Sequence, residues 1–112
     1  MSLVEITQAN FDDLLEKHDL LIIDFWANWC APCKAFAPVF EQMATEYPDI
    51  LFGKLNTEKE QALSQEFQVR SIPLVMIIKQ KTVVFAEAGA MPASAFKELI
   101  EQAVALKVEE PQ

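Results

Sequence analysis

Two cysteines separated by two residues are the part of this chain with the clearest chemistry. Cys30 and Cys33 are the only 2 cysteines in 112 residues, and they lie between an apolar run and a helical pattern. Thiols at this spacing can close into a disulfide and open again, so the pair can store and release two electrons. A helix N-terminus presents unpaired N–H groups and the positive end of the helix dipole, which together stabilise a thiolate. The pattern therefore predicts an activated Cys30, because the thiolate is the nucleophilic form.

The position of each cysteine predicts its role. Cys30 precedes the helix, so we expect its sulfur to lie nearer the surface and to act as the attacking thiolate. Cys33 lies one turn further on, where we expect it to be more buried and to resolve the mixed disulfide. Pro32 has no N–H, which makes the Cys33 N–H a natural donor to the Cys30 sulfur.

Two other uses of the cysteines are open to consideration. A structural zinc site needs about four Cys or His ligands, and the single histidine, His18, lies far from the pair at the end of a predicted helix. A structural disulfide that closes so short a loop removes little entropy from the unfolded chain. Redox catalysis is therefore the favoured interpretation, and no metal is predicted.

Asp24 interrupts the apolar run that leads to the cysteines. Burial of an ionised carboxylate is costly, so it should raise the pKa of this side chain. A carboxyl group with a raised pKa near two thiols could accept and return a proton near neutral pH. The alternative is a hydrated polar residue at a strand end. Lys54, in the neighbouring predicted strand, could form an ion pair with Asp24 below the site.

The segment around the cysteines, Trp-Ala-Asn-Trp-Cys-Ala-Pro-Cys-Lys at residues 26–34, resembles the active site of the thioredoxin family. The similarity covers about residues 4–106 and also includes Asp24, Pro38 and the pair Ile72-Pro73. Three positions depart from the family pattern. Glycine is usual at Ala31 and in the turn at Gln80-Lys81, and threonine is usual at Leu74.

The resemblance implies the thioredoxin fold and the reduction of protein disulfides by a reversible Cys30–Cys33 pair. It implies that Asp24 assists deprotonation of Cys33. It also implies that Pro73 is cis and packs against the disulfide, although a trans bond is the commoner state of X–Pro in general. Ile72 would then present backbone groups that pair with an extended substrate segment, a form of strand addition.

The predicted partners are disulfide-containing proteins and a separate electron donor such as a thioredoxin reductase. A separate donor is expected because the chain carries no Gly-rich nucleotide motif. No metal or organic cofactor is implied. Trp29 should lie on the surface beside Cys30 and form a flat apolar patch for partly folded partners, whereas Trp26 is expected in the core. The full predicted substrate-binding set is Trp29, Ala31, Pro32, Ile72, Pro73, Gly89 and Ala90.

Two rival functions are also considered. One is a specialised or exported family member with a narrow partner, since the residues between the cysteines, Ala31 and Pro32, tune the redox potential. The other is a binding or chaperone module that uses the Trp29 patch with little turnover.

Composition narrows the classes of partner. Hydrophobic residues make up 52% of the chain, including 8 Phe, which is typical of a globular domain. The net charge of −8 argues against nucleic acid or an anionic membrane as a partner. The first residues show no secretory signal and no run is long enough to span a bilayer. We therefore expect a cytoplasmic monomer, while a leader removed from the native protein is not excluded.

The elements that must position the site follow from apolar patterning and helix breakers. Residues 20–26 predict a central strand buried on both faces, because apolar and polar residues do not alternate there. The helix from Pro32 contains Pro38 and should end at Pro48. Strands at 74–78 and 82–86 are separated by only three residues, so they must form an antiparallel hairpin.

The remaining elements are strands at 3–6 and 50–56 and helices after Asn10, Thr57 and Pro92. Asn10 and Thr57 are expected N-caps, the latter with Glu60 in capping-box spacing. Val104 is placed on the buried stripe of the last helix. The order β-α-β-α-β-α-β-β-α predicts an α/β domain at 1–106, a mixed sheet of about five strands flanked by about four helices. Residues 107–112 are expected to be a frayed acidic tail.

Overall fold

The strand that carries Asp24 is the middle strand of a five-stranded sheet in the computed structural model, which describes residues 3–108. The elements in chain order are β1 (Leu3–Glu5), α1 (Phe11–Lys17), β2 (Leu20–Trp26), α2 (Ala31–Glu46), β3 (Leu51–Asn56), α3 (Gln61–Glu66), β4 (Leu74–Lys79), β5 (Thr82–Ala88) and α4 (Ala93–Ala105). The spatial order is β1-β3-β2-β4-β5. Strand β2 runs parallel to β3 and antiparallel to β4, so the sheet is mixed, as predicted.

Side chains of β2 alternate between two hydrophobic cores, one on each face of the sheet. Ile22 packs in the core that includes residues of α2 and α4, whereas Ile23 packs in the core that includes residues of α1 and α3. Because alternate strand residues share a face, Asp24 points towards the α2 side together with Ile22. Helices therefore cover both faces, and the predicted fold class is confirmed.

Aromatic rings fill the core under α2. The ring of Phe40 lies 5.4 Å from that of Phe52 and 5.9 Å from that of Phe96, so α2, β3 and α4 meet at one cluster. Rings at these separations contribute attraction beyond the area that they bury. Pro38 lies inside α2 as expected, and the helix ends at Glu46 with Tyr47 as its C-cap. This packing fixes the axis of the helix that carries the cysteines.

Helix α4 is fixed to the hairpin by a buried lysine whose role was not predicted from the sequence. The Nζ of Lys79 donates to the carbonyl oxygens of Ala103 and Val104 at 2.8 and 2.9 Å, and also to that of Leu106. A cation at this position satisfies carbonyls that a helix C-terminus leaves unpaired. In the adjacent turn Gln80 and Lys81 have φ of 50° and 65°, a left-handed backbone that favours glycine, the residue that the resemblance led us to expect there.

Neither of the two predicted N-caps, Asn10 and Thr57, makes the capping hydrogen bond that was expected of it. Asn10 occupies the N-cap position, but its side chain makes no capping bond to α1; its Oδ1 accepts from the Thr7 N–H at 2.8 Å. The capping box at Thr57 is wrong, since α3 begins only at Gln61. Instead, Asn56 Oδ1 accepts the N–H groups of Glu58 and Lys59, and the Thr57 hydroxyl donates to the Trp26 carbonyl. Local side-chain bonds thus replace a first helical turn.

Smaller corrections concern burial and element ends. Val104 is 52% exposed, so it is not on the buried stripe of α4. Trp26 is half-buried rather than in the core. Strands β4 and β5 run one and two residues further than predicted, to Lys79 and Ala88. The domain boundary at 106 stays a prediction, and most of the expected frayed tail lies outside the described residues.

Candidate redox site

Cys30 is the N-cap of α2, directly after the loop that follows β2. Its backbone is extended, with φ −91° and ψ 105°, and the Cys33 N–H donates to its sulfur over 3.2 Å. Pro32, inside the first turn, has no N–H that could compete with that of Cys33 for the sulfur. A disulfide joins the two cysteines, whose Cα atoms are 5.3 Å apart. The structure therefore shows the oxidised form of the predicted pair.

The expected difference in depth between the cysteines is wrong for this oxidised form. Cys30 and Cys33 are each only 3% exposed. Cys30 is covered because the loop before β4 lies against it, with the Ile72 carbonyl oxygen 3.7 Å from the Cys30 sulfur. A disulfide sulfur has no proton to donate, so this approach is a contact; the thiol of the reduced protein could donate there. Any difference in reactivity between the two sulfurs must therefore come from the helix N-terminus and the Cys33 N–H, because both act on the Cys30 sulfur.

That inequality can be measured in the reduced protein. We expect iodoacetamide to alkylate Cys30 at least about tenfold faster than Cys33 near pH 7, because a helix N-terminus lowers a thiol pKa and raises the thiolate fraction. Peptide mapping of partly alkylated protein measures both rates in one sample. Reaction in 6 M guanidinium is the control, where the two rates should converge. Equal rates in the folded protein would contradict an activated Cys30.

The loop opposite the disulfide carries the predicted proline. The Ile72–Pro73 peptide bond is cis, as the resemblance implied, and Pro73 is buried. The Pro73 carbonyl accepts the Gly89 N–H at 2.8 Å, which joins the start of β4 to the residue after β5. Three of the predicted site residues, Ile72, Pro73 and Gly89, are thereby brought together, and Ile72 also reaches Cys30.

The surface around the disulfide is only partly the one expected. Trp29 is 71% exposed, and Ala31, Pro32, Gly89 and Ala90 are also exposed. The cavity beside the disulfide, however, joins Trp29 and Ile72 to four residues that were not predicted as site residues, namely Thr57, Val69, Arg70 and Ser71. Their places in the sequence could have indicated this, because Val69, Arg70 and Ser71 directly precede the cis-proline pair and Thr57 directly follows β3.

Asp24 is completely buried, as predicted. It is 0% exposed, and neither carboxyl oxygen has a hydrogen-bond partner among the described residues. Burial raises the pKa of Asp24 from 3.8 to about 7, while the charge of Lys54 acts in the opposite direction. A carboxyl group with this pKa can exchange a proton at neutral pH, which is the property required of a base for a buried thiol.

The ion pair between Asp24 and Lys54 that the sequence allowed does not form in the described range. The two residues are register partners on neighbouring strands, yet no carboxylate lies within salt-bridge distance of Lys54. The Lys54 Nζ instead lies 5.3 Å from the centroid of the Trp26 ring. A cation over an aromatic face is attracted to it. Lys54 therefore influences Asp24 only through its electric field.

Neither a metal cluster nor a transmembrane helix is found within residues 3–108. The described side chains contain no group of three or more His, Cys, Asp or Glu that could hold a metal ion. None of the described helices combines the length and apolarity needed to cross a membrane.

A cysteine pair at the first turn of a helix, next to a cis-proline loop and a mixed sheet, defines the thiol–disulfide oxidoreductases of thioredoxin fold. Solved structures agree: a mutant thioredoxin from Halobacterium salinarum superposes with a TM-score of 0.85 at 30% identity, over 96% of this chain and 95% of that one. Plasmodium falciparum thioredoxin gives a TM-score of 0.81 at 33% identity, over 88% of this chain and 96% of that one.

The sequence comparisons identify the family. The Thioredoxin family model matches residues 2–102. A putative thioredoxin 2 of Streptomyces coelicolor is 45% identical over 97% of this chain and 81% of its own length. The thioredoxin of Haemophilus influenzae is 37% identical over 88% of this chain and 94% of its own length. The chain belongs to the thioredoxin family and is a thiol–disulfide oxidoreductase.

Proposed function

We propose that the protein reduces disulfides of other proteins through Cys30 and Cys33, with Asp24 as the proton acceptor. The observation that carries this proposal is the placement of Cys30 at the N-cap of α2, where its sulfur accepts the Cys33 N–H. In the reduced protein the same donor and the helix dipole favour the Cys30 thiolate. We propose the buried Asp24 carboxyl, whose pKa burial raises to about 7, as the base for the second thiol.

The electrons balance in two exchanges. The Cys30 thiolate attacks one sulfur of the substrate disulfide, which forms a mixed disulfide and releases the other substrate sulfur as a thiolate. Cys33, after passing its proton to Asp24, attacks the Cys30 sulfur and releases the second substrate thiolate. The substrate gains two electrons, and the Cys30–Cys33 disulfide seen in the structure is the product. A separate reductase returns the pair to the dithiol.

The substrate segment is proposed to bind along the cis-proline loop. Ile72 lies with its carbonyl 3.7 Å from the Cys30 sulfur, so an extended segment paired with its backbone would bring a disulfide to Cys30. Trp29, Ala31, Pro32, Pro73, Gly89 and Ala90 complete the proposed substrate surface. We place this activity in the cytoplasm, where protein thiols are kept reduced and a dithiol donor can be regenerated.

Truncation of Trp29 tests whether proteins are the substrate. For Trp29→Ala we expect kcat/KM towards a disulfide-linked protein such as insulin to fall about tenfold, because an exposed aromatic anchor is lost. The rate with a small disulfide such as dithiobis(nitrobenzoic acid) should change little. Val104→Ala, which trims another exposed apolar residue at the end of α4, should alter neither rate. An equal loss on both substrates would contradict a protein-binding role for this surface.

A further inference from the structure

The only arginine of the chain lies beside the redox site. The 9 basic residues are Arg70 and 8 lysines. Arg70 contributes to a groove of about 360 Å³, here called the Arg70 groove, which is lined by Trp29, Thr57, Val69, Arg70, Ser71 and Ile72. The groove combines one aromatic and two aliphatic side chains with two hydroxyls and a single cation, so it is neither uniformly apolar nor uniformly charged.

Two lining residues of the Arg70 groove lie next to the reacting Cys30. Trp29 directly precedes Cys30, and the Ile72 carbonyl lies 3.7 Å from the Cys30 sulfur. Two walls of the groove therefore adjoin the atom that a substrate disulfide must reach. A polypeptide segment that places its disulfide on Cys30 while pairing with Ile72 has neighbouring residues within reach of the groove.

The backbone that carries Arg70 is held at both ends. After α3, Gln68 adopts a left-handed conformation with φ 55°, and the Val69 N–H donates to the Ser64 carbonyl at 2.9 Å. These features end a helix in a defined geometry. On the other side the chain enters β4 through the buried Pro73. The position of the arginine backbone is thus fixed relative to the disulfide, although its side chain is exposed.

The Arg70 guanidinium is not engaged within residues 3–108. The ion pairs of this range use Lys17, Lys81 and Lys97, and none of the hydrogen bonds involves the arginine side chain. An isolated surface arginine is ordinarily just solvated. This one differs because its planar fork of five donors, suited to a carboxylate, forms part of a groove next to the reactive cysteine.

We propose that Arg70 is a specificity-determining residue that binds a carboxylate of the substrate polypeptide close to the attacked disulfide. An apolar side chain of the same segment would pack between Trp29, Val69 and Ile72. This inference rests on the proposed function and names the substrates that it favours, namely extended segments with Asp or Glu beside the reactive cysteine.

The net charge of −8 does not remove this preference. At physiological salt, charges separated by more than about 8 Å are largely screened, whereas a guanidinium and a carboxylate in direct contact are not. The overall charge should slow the approach of every acidic substrate, and Arg70 should favour those acidic segments that reach the groove in register. The preference should therefore depend on the position of the carboxylate relative to the cysteine.

The test uses disulfide-linked peptides that carry Glu, Gln or Lys at each of two positions on either side of the reactive cysteine. At 0.05 M salt we expect kcat/KM for the best Glu peptide to exceed that of its Gln counterpart about threefold, with Lys lower still. Arg70→Gln should abolish the difference, and Arg70→Glu should make Lys the preferred residue. Lys59→Gln removes the same charge from an exposed lysine outside the groove lining and should leave the preference intact.

The outcomes separate this inference from the proposed function. Normal turnover with the same Glu/Gln ratio in the wild type and in Arg70→Gln overturns the role of Arg70 and leaves the oxidoreductase intact. An equal loss of preference in Lys59→Gln also overturns it, because the effect would then be one of total charge. Failure of the wild type to reduce any of the peptides overturns both. The inference is supported if only the Arg70 variants lose the preference for Glu peptides and if 0.5 M salt weakens that preference in the wild type.

Discussion

Cys33→Ser protein incubated with disulfide-containing proteins should accumulate as covalent mixed disulfides, whereas Cys30→Ser protein should capture almost none. The structure places the thiolate-stabilising groups, the N-terminus of α2 and the Cys33 N–H, at the Cys30 sulfur. Cys30 can therefore begin the exchange without its partner, but the resolving step requires the sulfur of Cys33. Steady-state turnover should fall by on the order of a thousandfold or more in either variant, as happens when a member of a catalytic unit is removed.

Non-reducing gels of the two variants after reaction with a cell extract measure the trapping. The double variant Cys30→Ser/Cys33→Ser is the matched control and should give the same background as Cys30→Ser. Dithiothreitol should release every trapped partner. A structural disulfide would give no trapping by either variant, and a binding module would give partners that survive both substitutions and resist reduction.

Asp24→Asn should change the pH dependence of stability by about 3 kcal/mol between pH 5 and pH 9. Burial raises the pKa of Asp24 to about 7 in the folded protein, whereas the unfolded chain titrates near 3.8. A raised folded pKa gives a stability contribution that is complete below the unfolded value and is lost as pH rises through the folded one. The wild type should therefore lose stability through pH 7, and the variant should lack this loss.

The quantity to compare is the change in the free energy of unfolding with pH, not its value at one pH. Burial of the Asn amide has its own free-energy cost, but that cost does not vary with pH. Urea unfolding of the oxidised proteins at several pH values isolates the carboxyl, since disulfide-bonded cysteines do not titrate. The Asn variant should also resolve mixed disulfides up to about a hundredfold more slowly, owing to loss of the base. Parallel stability curves for the two proteins would mean that Asp24 stays ionised in the fold.

Much of the site was predictable because its signals lie close together in the chain. Three local patterns each predict one structural outcome: the largely apolar run of β2, the spacing of Cys30 and Cys33, and Pro32 at the helix start. The burial of Asp24 was predicted for the same reason, since the apolar residues on either side of it favoured a buried position over a hydrated strand end. The cis state of Pro73 came from the family resemblance rather than from its own residues.

What escaped prediction depends on contacts between distant segments. The depth of Cys30 is set by the Ile72 loop, 42 residues further on, and the C-terminus of α4 is bound by Lys79, 24 residues before Ala103. The Arg70 groove is likewise assembled from the α2 start, the β3 end and the segment before β4. The capping box failed for a local reason, because the Asn56 side chain competed for the same N–H groups.

A single-turnover experiment tests the central claim most directly. Fully reduced protein is mixed with a substoichiometric protein disulfide, the reaction is stopped with acid and alkylating agent, and both partners are mapped by mass spectrometry. The expected result is one new Cys30–Cys33 disulfide for each substrate disulfide reduced, preceded by a transient mixed disulfide on Cys30. Substrate that stays oxidised while Cys30 and Cys33 remain thiols would contradict it.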